Sequence, residues 1–175
     1  MKAAADKQRA AIALQVEAAK KQAQLAGMHL QPWAPLPIPA AAPECDPVED
    51  AVITPIIEGA AKSHDLQPAL VRAVMEQESA MKSCAVSPMG AEGLMQLMPE
   101  TCSQLGVTDP FDMKQSVEAG AKYLKTLIDQ FKGDLRVALG AYNAGPAAAT
   151  QAGGIPDIPE TRDYVDAIMK KIGKP

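Results

Sequence analysis

From about residue 48 onward, apolar residues recur every three or four positions, the period of helices buried along one side. Thr54-Pro55 reads as an N-cap followed by a first-turn proline, with Ile56, Ile57 and Ala60 at helical spacing behind them. A second helix is predicted over residues 66–79, with Pro68 in its first turn. A loop over 79–92, punctuated by Gly, Pro and Ser, leads to a short helix around 93–97 and another after Pro99. Residues 116–131 read as a long amphipathic helix whose Val117, Ala121, Leu124, Leu127 and Ile128 share a face. Asp134 is placed to cap a helix through Leu135, Val137, Ala138 and Leu139 into Tyr142, which Gly145-Pro146 ends. Residues 160–171 form a last helix with Tyr164, Val165 and Ile168 inward. No run alternates convincingly with period two, so the predicted fold class is all-α.

The helix over 66–79 carries the first hint of chemistry. At about 100° per residue, Glu78 falls within roughly 40° of both Val74 and Val71, whereas Glu76 points about 200° away, toward water. One carboxylate is therefore carried on the apolar face. Burial raises a carboxyl pKa, and a Glu still protonated near neutral pH is what a general acid requires. A partly buried Glu paired with a cation explains this segment equally well.

Ahead of residue 48 the pattern changes. Residues 1–28 are rich in Ala, Lys and Gln and favour a helix, but their larger apolar residues lie on two faces, Ile12 with Val16 and Leu14 with Leu25. A solvated or loosely docked helix is expected, with a segment binding an unknown protein partner as the alternative. Residues 29–47 hold Pro32, Pro35, Pro37, Pro39, Pro43 and Pro47, a stiff linker or a strap anchored by Trp33. Residues 48–175 then form the main domain.

Composition narrows the class. Aromatic residues are only 3% of 175, so the core must rest on aliphatic residues, Met and Ala. No stretch approaches the ~20 apolar residues of a membrane span. The first nine residues run into charge with no apolar block, so an exported protein would use another route or begin after its signal. Residues 1–28 carry 5 Lys/Arg against 2 Asp/Glu, and residues 48–175 carry 12 against 17, a net of −5. An acidic domain argues against nucleic acid as partner. Cys45, Cys84 and Cys102 form no Cys-x-x-Cys, and His29 and His64 lie far apart, so neither a metal nor a cofactor is expected. For an exported protein, one disulfide is expected, with Cys45–Cys84 favoured over Cys84–Cys102; three reduced thiols is the alternative. Cys102 would then be a small buried hydrophobe.

Several separate blocks occur in one order: Glu78-Ser79, residues 85–91, residues 93–99 (Gly93-Leu94-Met95-Gln96-Leu97-Met98-Pro99), Ala141-Tyr142-Asn143-Ala144-Gly145-Pro146, and residues 159–165 (Pro159-Glu160-Thr161-Arg162-Asp163-Tyr164-Val165). Together they resemble the catalytic domain of soluble lytic murein transglycosylases (the SLT domain, glycoside hydrolase family 23), related in fold to goose-type lysozyme. The resemblance covers roughly residues 48–171. It implies a lysozyme-like helical domain, peptidoglycan glycan strands as substrate, and a cell-envelope location, periplasmic or extracellular. It also implies cleavage of the β-1,4 bond between N-acetylmuramic acid and N-acetylglucosamine, with a 1,6-anhydro product. By position, Glu78 corresponds to the catalytic acid/base, Ser87 and Gln96 to residues bonding the sugar, and Met98 to a cleft-lining residue. Tyr142 and Asn143 correspond to the pair beside the acid, and Glu160 to a carboxylate of the last motif.

A glycosidase normally uses two carboxylates, but one suffices if the substrate's own N-acetyl oxygen stabilises C1 and its own C6 hydroxyl attacks. Gly90 and Gly93 permit a tight loop at the substrate, and the Tyr142 hydroxyl is expected to hold Glu78 or the sugar. Ser87 and Gln96 have a loop-bracing alternative, and Arg162 is expected to pair with Glu160 or to remain a surface charge. The competing functions are a hydrolytic muramidase, in which Glu92 or Glu160 activates water, and a non-catalytic glycan-binding or envelope-assembly component.

Overall fold

Proline and aspartate start the helices. The computed structural model describes residues 45–173, and among them seven helices form: α1 Asp50–Ser63, α2 Pro68–Ser79, α3 Pro99–Leu105, α4 Met113–Gln130, α5 Leu135–Ala144, α6 Pro146–Ala152 and α7 Pro159–Lys171. Helices α2, α3, α6 and α7 each begin at a proline, where the missing N–H would have no intrahelical partner anyway. Helices α4 and α5 are capped instead by Asp112 and Asp134, whose carboxylates accept from the Gln115 and Val137 amides. The segment read as 1–28, with its partner-binding alternative, and residues 29–44 of the proline strap, Trp33 included, lie outside the described residues.

Three local expectations change. Helix α1 starts at Asp50, and Pro55 sits inside it; Ile53 and Ile57, on either side, are 0% and 1% exposed, and their burial holds the turn despite the lost amide. Thr54 is therefore no N-cap: its hydroxyl accepts from Arg72 of α2 at 2.7 Å, beside the Arg72–Asp50 ion pair. Residues 93–96 form a tight turn instead of a helix, because Gly93 (φ 76°) and Gln96 (φ 47°) both adopt left-handed backbone. Gly145-Pro146 ends one helix and at once begins another, α6, which the sequence reading omitted.

The core lies around α5, which packs on α4, α6 and α7, while α1 bridges α4 and α2, and α2 also meets α7. Ala138, Leu139 and Ala141 of α5 are fully buried, as are Val71 and Val74 of α2, Val117 and Leu124 of α4, and Val165 and Ile168 of α7. Small residues on α5 let its neighbours approach closely, which suits a chain poor in aromatics. The result places the C-terminal ends of α2 and α5 and the first half of α7 around one cleft. Cys45 and Cys84 are disulfide-bonded, and Cys102 is a buried thiol near the Leu97 carbonyl. No helix among the described residues is long and apolar enough to cross a membrane.

Candidate active site

The cleft is built around the 92–97 turn. Backbone bonds between Glu92 and Leu97 in both directions, 3.0 and 3.1 Å, close its base. Leu94 and Met95 are fully buried, so their peptide groups need partners from elsewhere in the fold. Ser79 Oγ donates to the Leu94 carbonyl at 2.9 Å, Tyr142 Oη donates to the Met95 carbonyl at 2.9 Å, and the Met95 amide donates to Ser116 Oγ at 3.3 Å. Gly93 is required twice over: its backbone is left-handed, and a Cβ there would sit 2.0 Å from the Pro110 carbonyl oxygen. The α2, α4 and α5 helices thus hold this turn rigidly against the residue that precedes Ser79.

That residue is Glu78. Its backbone lies on the inward face of α2, and its carboxyl opens into the cleft. Tyr164 of α7 donates to Glu78 Oε1 at 2.6 Å. Burial raises the Glu78 pKa from its ordinary 4.5 to about 7, and the Tyr164 bond, which favours the carboxylate, opposes only part of that rise. Burial, and secondarily the charge of Glu78, likewise push the Tyr164 and Tyr142 hydroxyls well above 10, so both stay protonated donors. Glu76, on the other face of α2, is half-exposed and pairs with Lys171 at 2.9 Å. Geometry thus separates the two carboxylates as the helical period requires.

The cleft has a volume of about 860 Å³ and is lined by Gln77, Glu78, Ser87, Pro88, Met89, Ala91, Gln96, Met98, Tyr142, Asn143, Glu160, Asp163 and Tyr164. All seven residues singled out from the sequence, Glu78, Ser87, Gln96, Met98, Tyr142, Asn143 and Glu160, meet there. Tyr142 departs from its expected place beside Glu78, whereas Ser87 and Gln96 take their loop-bracing alternative. Tyr142 holds the Met95 carbonyl and stacks at a tilt on Tyr123, 5.3 Å between centroids, and Tyr164 takes the place beside Glu78. Gln96 braces the loop, its Nε2 donating to the carbonyls of Gly93 (2.9 Å) and Ala85 (3.2 Å). Ser87 Oγ accepts the Ala91 amide at 3.0 Å, and Asn143 Oδ1 accepts from Thr161 at 2.7 Å.

Glu160 and Asp163 are exposed on the α7 wall. Arg162 pairs with Asp157 at 2.8 Å, not with Glu160, because successive residues on α7 point it to the outer side. Glu92 does not line the cleft; its backbone closes the turn. Tyr164 was read only as a core residue. The signal that could have marked it is chemical: a buried phenol must find an acceptor. Among the described residues no group of three His, Cys, Asp or Glu could hold a metal ion.

With this geometry established, likeness to known proteins becomes informative. The family model described as the transglycosylase SLT domain matches residues 55–165. A transglycosylase of Enterobacteria phage PRD1 is 37% identical over 116 residues, 66% of this chain and 41% of that protein. Membrane-bound lytic murein transglycosylase F of Desulfosudis oleivorans is 40% identical over 97 residues, 52% of this chain and 21% of that protein. Among solved structures, an inactive Glu-to-Gln mutant of the lytic transglycosylase Slt from Pseudomonas aeruginosa superposes with a TM-score of 0.58 at 31% identity, covering 69% of this chain and 24% of that one. The chain thus spans less than half the length of the relatives it matches. The lysozyme-like helical fold is shared with such structures. The matched segment holds α2, α5, the first half of α7 and Glu78 itself, and the chain belongs to the transglycosylase SLT domain family.

Proposed function

We propose that this domain is a peptidoglycan lytic transglycosylase that cleaves the β-1,4 bond between N-acetylmuramic acid and N-acetylglucosamine. The observation that carries the reading is a single carboxyl, Glu78, kept protonated near neutrality at the base of a sugar-sized cleft and hydrogen-bonded by Tyr164. Glu78 donates its proton to the glycosidic oxygen as the bond to C1 breaks, and the substrate's acetamido oxygen stabilises the positive charge at C1. The Glu78 carboxylate, held by the Tyr164 hydroxyl, then removes the proton of the muramic acid C6 hydroxyl. That oxygen closes on C1, giving a 1,6-anhydro end and returning Glu78 to its protonated form. No water is consumed.

The other cleft carboxylates, Glu160 and Asp163, are exposed on α7, and Glu92 does not line the cleft, which favours this route over water activation. The names of the relatives, and the Glu-to-Gln mutant described as inactive among them, support the same reading. The remaining role assignments follow. Ser87 and Gln96 shape the sugar-facing loop, Met98 lines it, Asn143 and Glu160 bind sugar substituents, and Tyr142 sets the turn. The domain, residues 48–175, acts in the cell envelope, where its substrate lies. Purified peptidoglycan digested with the protein and analysed by mass spectrometry is expected to release anhydro-muropeptides. Reducing ends instead would mean a hydrolytic muramidase, and no release would mean a glycan-binding module.

A further inference from the structure

We propose that a second cavity, at the far end of α5 from the catalytic cleft, binds an α-amino acid zwitterion, either free or at the end of a peptide. The cavity has a volume of about 510 Å³ and shares no lining residue with the cleft around Glu78. That size falls within the ~300–1,000 Å³ of small-molecule sites. Three elements build it: the turn that leaves α4, the start of α5 and the end of α6.

Both walls are formed without a ligand. Lys132 (φ 57°) and Gly133 (φ 85°) are left-handed in succession. The Gly133 amide donates to the Ile128 carbonyl at 2.8 Å, and the Asp134 amide to that of Phe131 at 3.0 Å. Such backbone suits Gly133 but is unfavourable for a lysine, and residues held this way concentrate at ligand sites. On the opposite wall, α6 ends at Gly153 (φ 64°), with the Gly153 and Gly154 amides bonded to the Thr150 and Ala149 carbonyls.

Inside, the chemistry divides by depth. Ala149 is fully buried, and Phe131 and Val137 are half-buried against the core, so the floor is apolar. Lys132 and Asp134 are exposed at the rim. The Lys132 ammonium makes no hydrogen bond or ion pair with any described residue. Asp134 uses Oδ1 to cap α5, accepting from the Val137 amide at 3.1 Å, and its other oxygen takes no bond from a described residue. Two opposite charges thus line one cavity, two positions apart on a fixed turn, without pairing with each other.

That division selects the ligand. A lone carboxylate would gain Lys132 but face Asp134, and a lone amine the reverse. An α-amino acid carries both an ammonium and a carboxylate on one carbon and answers both charges. A small apolar side chain on the same carbon is then directed to the Phe131–Val137 floor. Two sources present this chemistry: a free amino acid, and the amino-acid end of a wall stem peptide.

The whole chain, isotopically labelled, is titrated in an NMR experiment with three probes. These are alanine, a soluble muropeptide whose stem ends in diaminopimelate, and N-acetyl-alanine amide, which carries neither charge. Saturable shifts of the 131–134 and 153–154 amides are expected with alanine or the muropeptide and not with the neutral amide. Tighter binding of the muropeptide assigns the site to stem peptides, and equal or tighter binding of alanine assigns it to the free amino acid. Lys132→Gln and Asp134→Asn are each expected to weaken binding about tenfold, the scale of one charge-assisted hydrogen bond. Asn also caps helices, so Asp134→Asn should melt as wild type does. The inference is overturned by no saturable shift up to about 10 mM of either charged probe, by equal binding of the neutral amide, or by variants that bind as wild type. Every readout comes from the cavity's own amides and stands whether or not the cleft around Glu78 cleaves peptidoglycan.

Discussion

Tyr164 and Glu78, 86 residues apart in the chain, are joined by a hydrogen bond of 2.6 Å that spans α7 and α2. The bond and the burial around it act in opposite directions on one proton. In the proposed reaction, burial keeps Glu78 protonated for the first proton transfer, and the phenol steadies the carboxylate formed for the second.

With Glu78 as the proposed general acid, activity is expected to fall as pH rises through about 7, its pKa, where that acid is lost. Tyr164→Phe removes the interaction that favours the carboxylate, so this alkaline limb should move to higher pH while the rate at its plateau drops. Rates on soluble strands between about pH 5 and 9 would show it. An unmoved limb would mean that Tyr164 serves packing alone.

Glu78 also sets a pH dependence of stability, and its sign is fixed by linkage. The folded pKa of about 7 lies above the ordinary 4.5, so between these values the folded state binds more protons than the unfolded one. Stability contributed by the protonated group is present below pH 4.5 and declines as pH rises through 7, by up to about 3 kcal/mol. Glu78→Gln, which cannot ionise, should match wild type at pH 4 and melt higher at pH 8. Thermal melts at the two pH values suffice, and the same variant should release no anhydro-muropeptides.

Gly93→Ala should be severe. The added Cβ meets the Pro110 carbonyl at 2.0 Å while the residue is held at φ 76°, and neither can relax cheaply. A loss of about 3 kcal/mol or more is expected, read as a fall in melting temperature of roughly 10 °C.

Ser79→Ala leaves the buried Leu94 carbonyl without its 2.9 Å donor, at a cost of about 1–3 kcal/mol. Because the same turn carries Gln96, binding of glycan strands by Ser79→Ala in a Glu78→Gln background should weaken as well. Unchanged melting and binding would show that the turn is held by Tyr142 and Ser116 without it.

Much of this was legible without coordinates. The helical period put Glu78 and Val71 on one face of α2, left Glu76 outside, and marked Leu124, Val165 and Ile168 as inward-facing, because that pattern is a property of each segment alone. The blocks around Ser87, Gln96, Tyr142 and Glu160 also pointed to one site, and all of them line one cleft. What the sequence could not decide was how donors and acceptors pair across helices. Tyr142 and Tyr164 are both inward-facing phenols, and local pattern cannot say which reaches Glu78 and which reaches the Met95 carbonyl. The 93–96 segment looks helical by composition, yet the left-handed backbone at Gly93 and Gln96 turns it, held by Ser79, Ser116 and Tyr142 from three different helices. Helix type and facing are local and follow from side-chain spacing. Hydrogen-bond partners belong to the packing of distant helices, and only the assembled tertiary structure settles them.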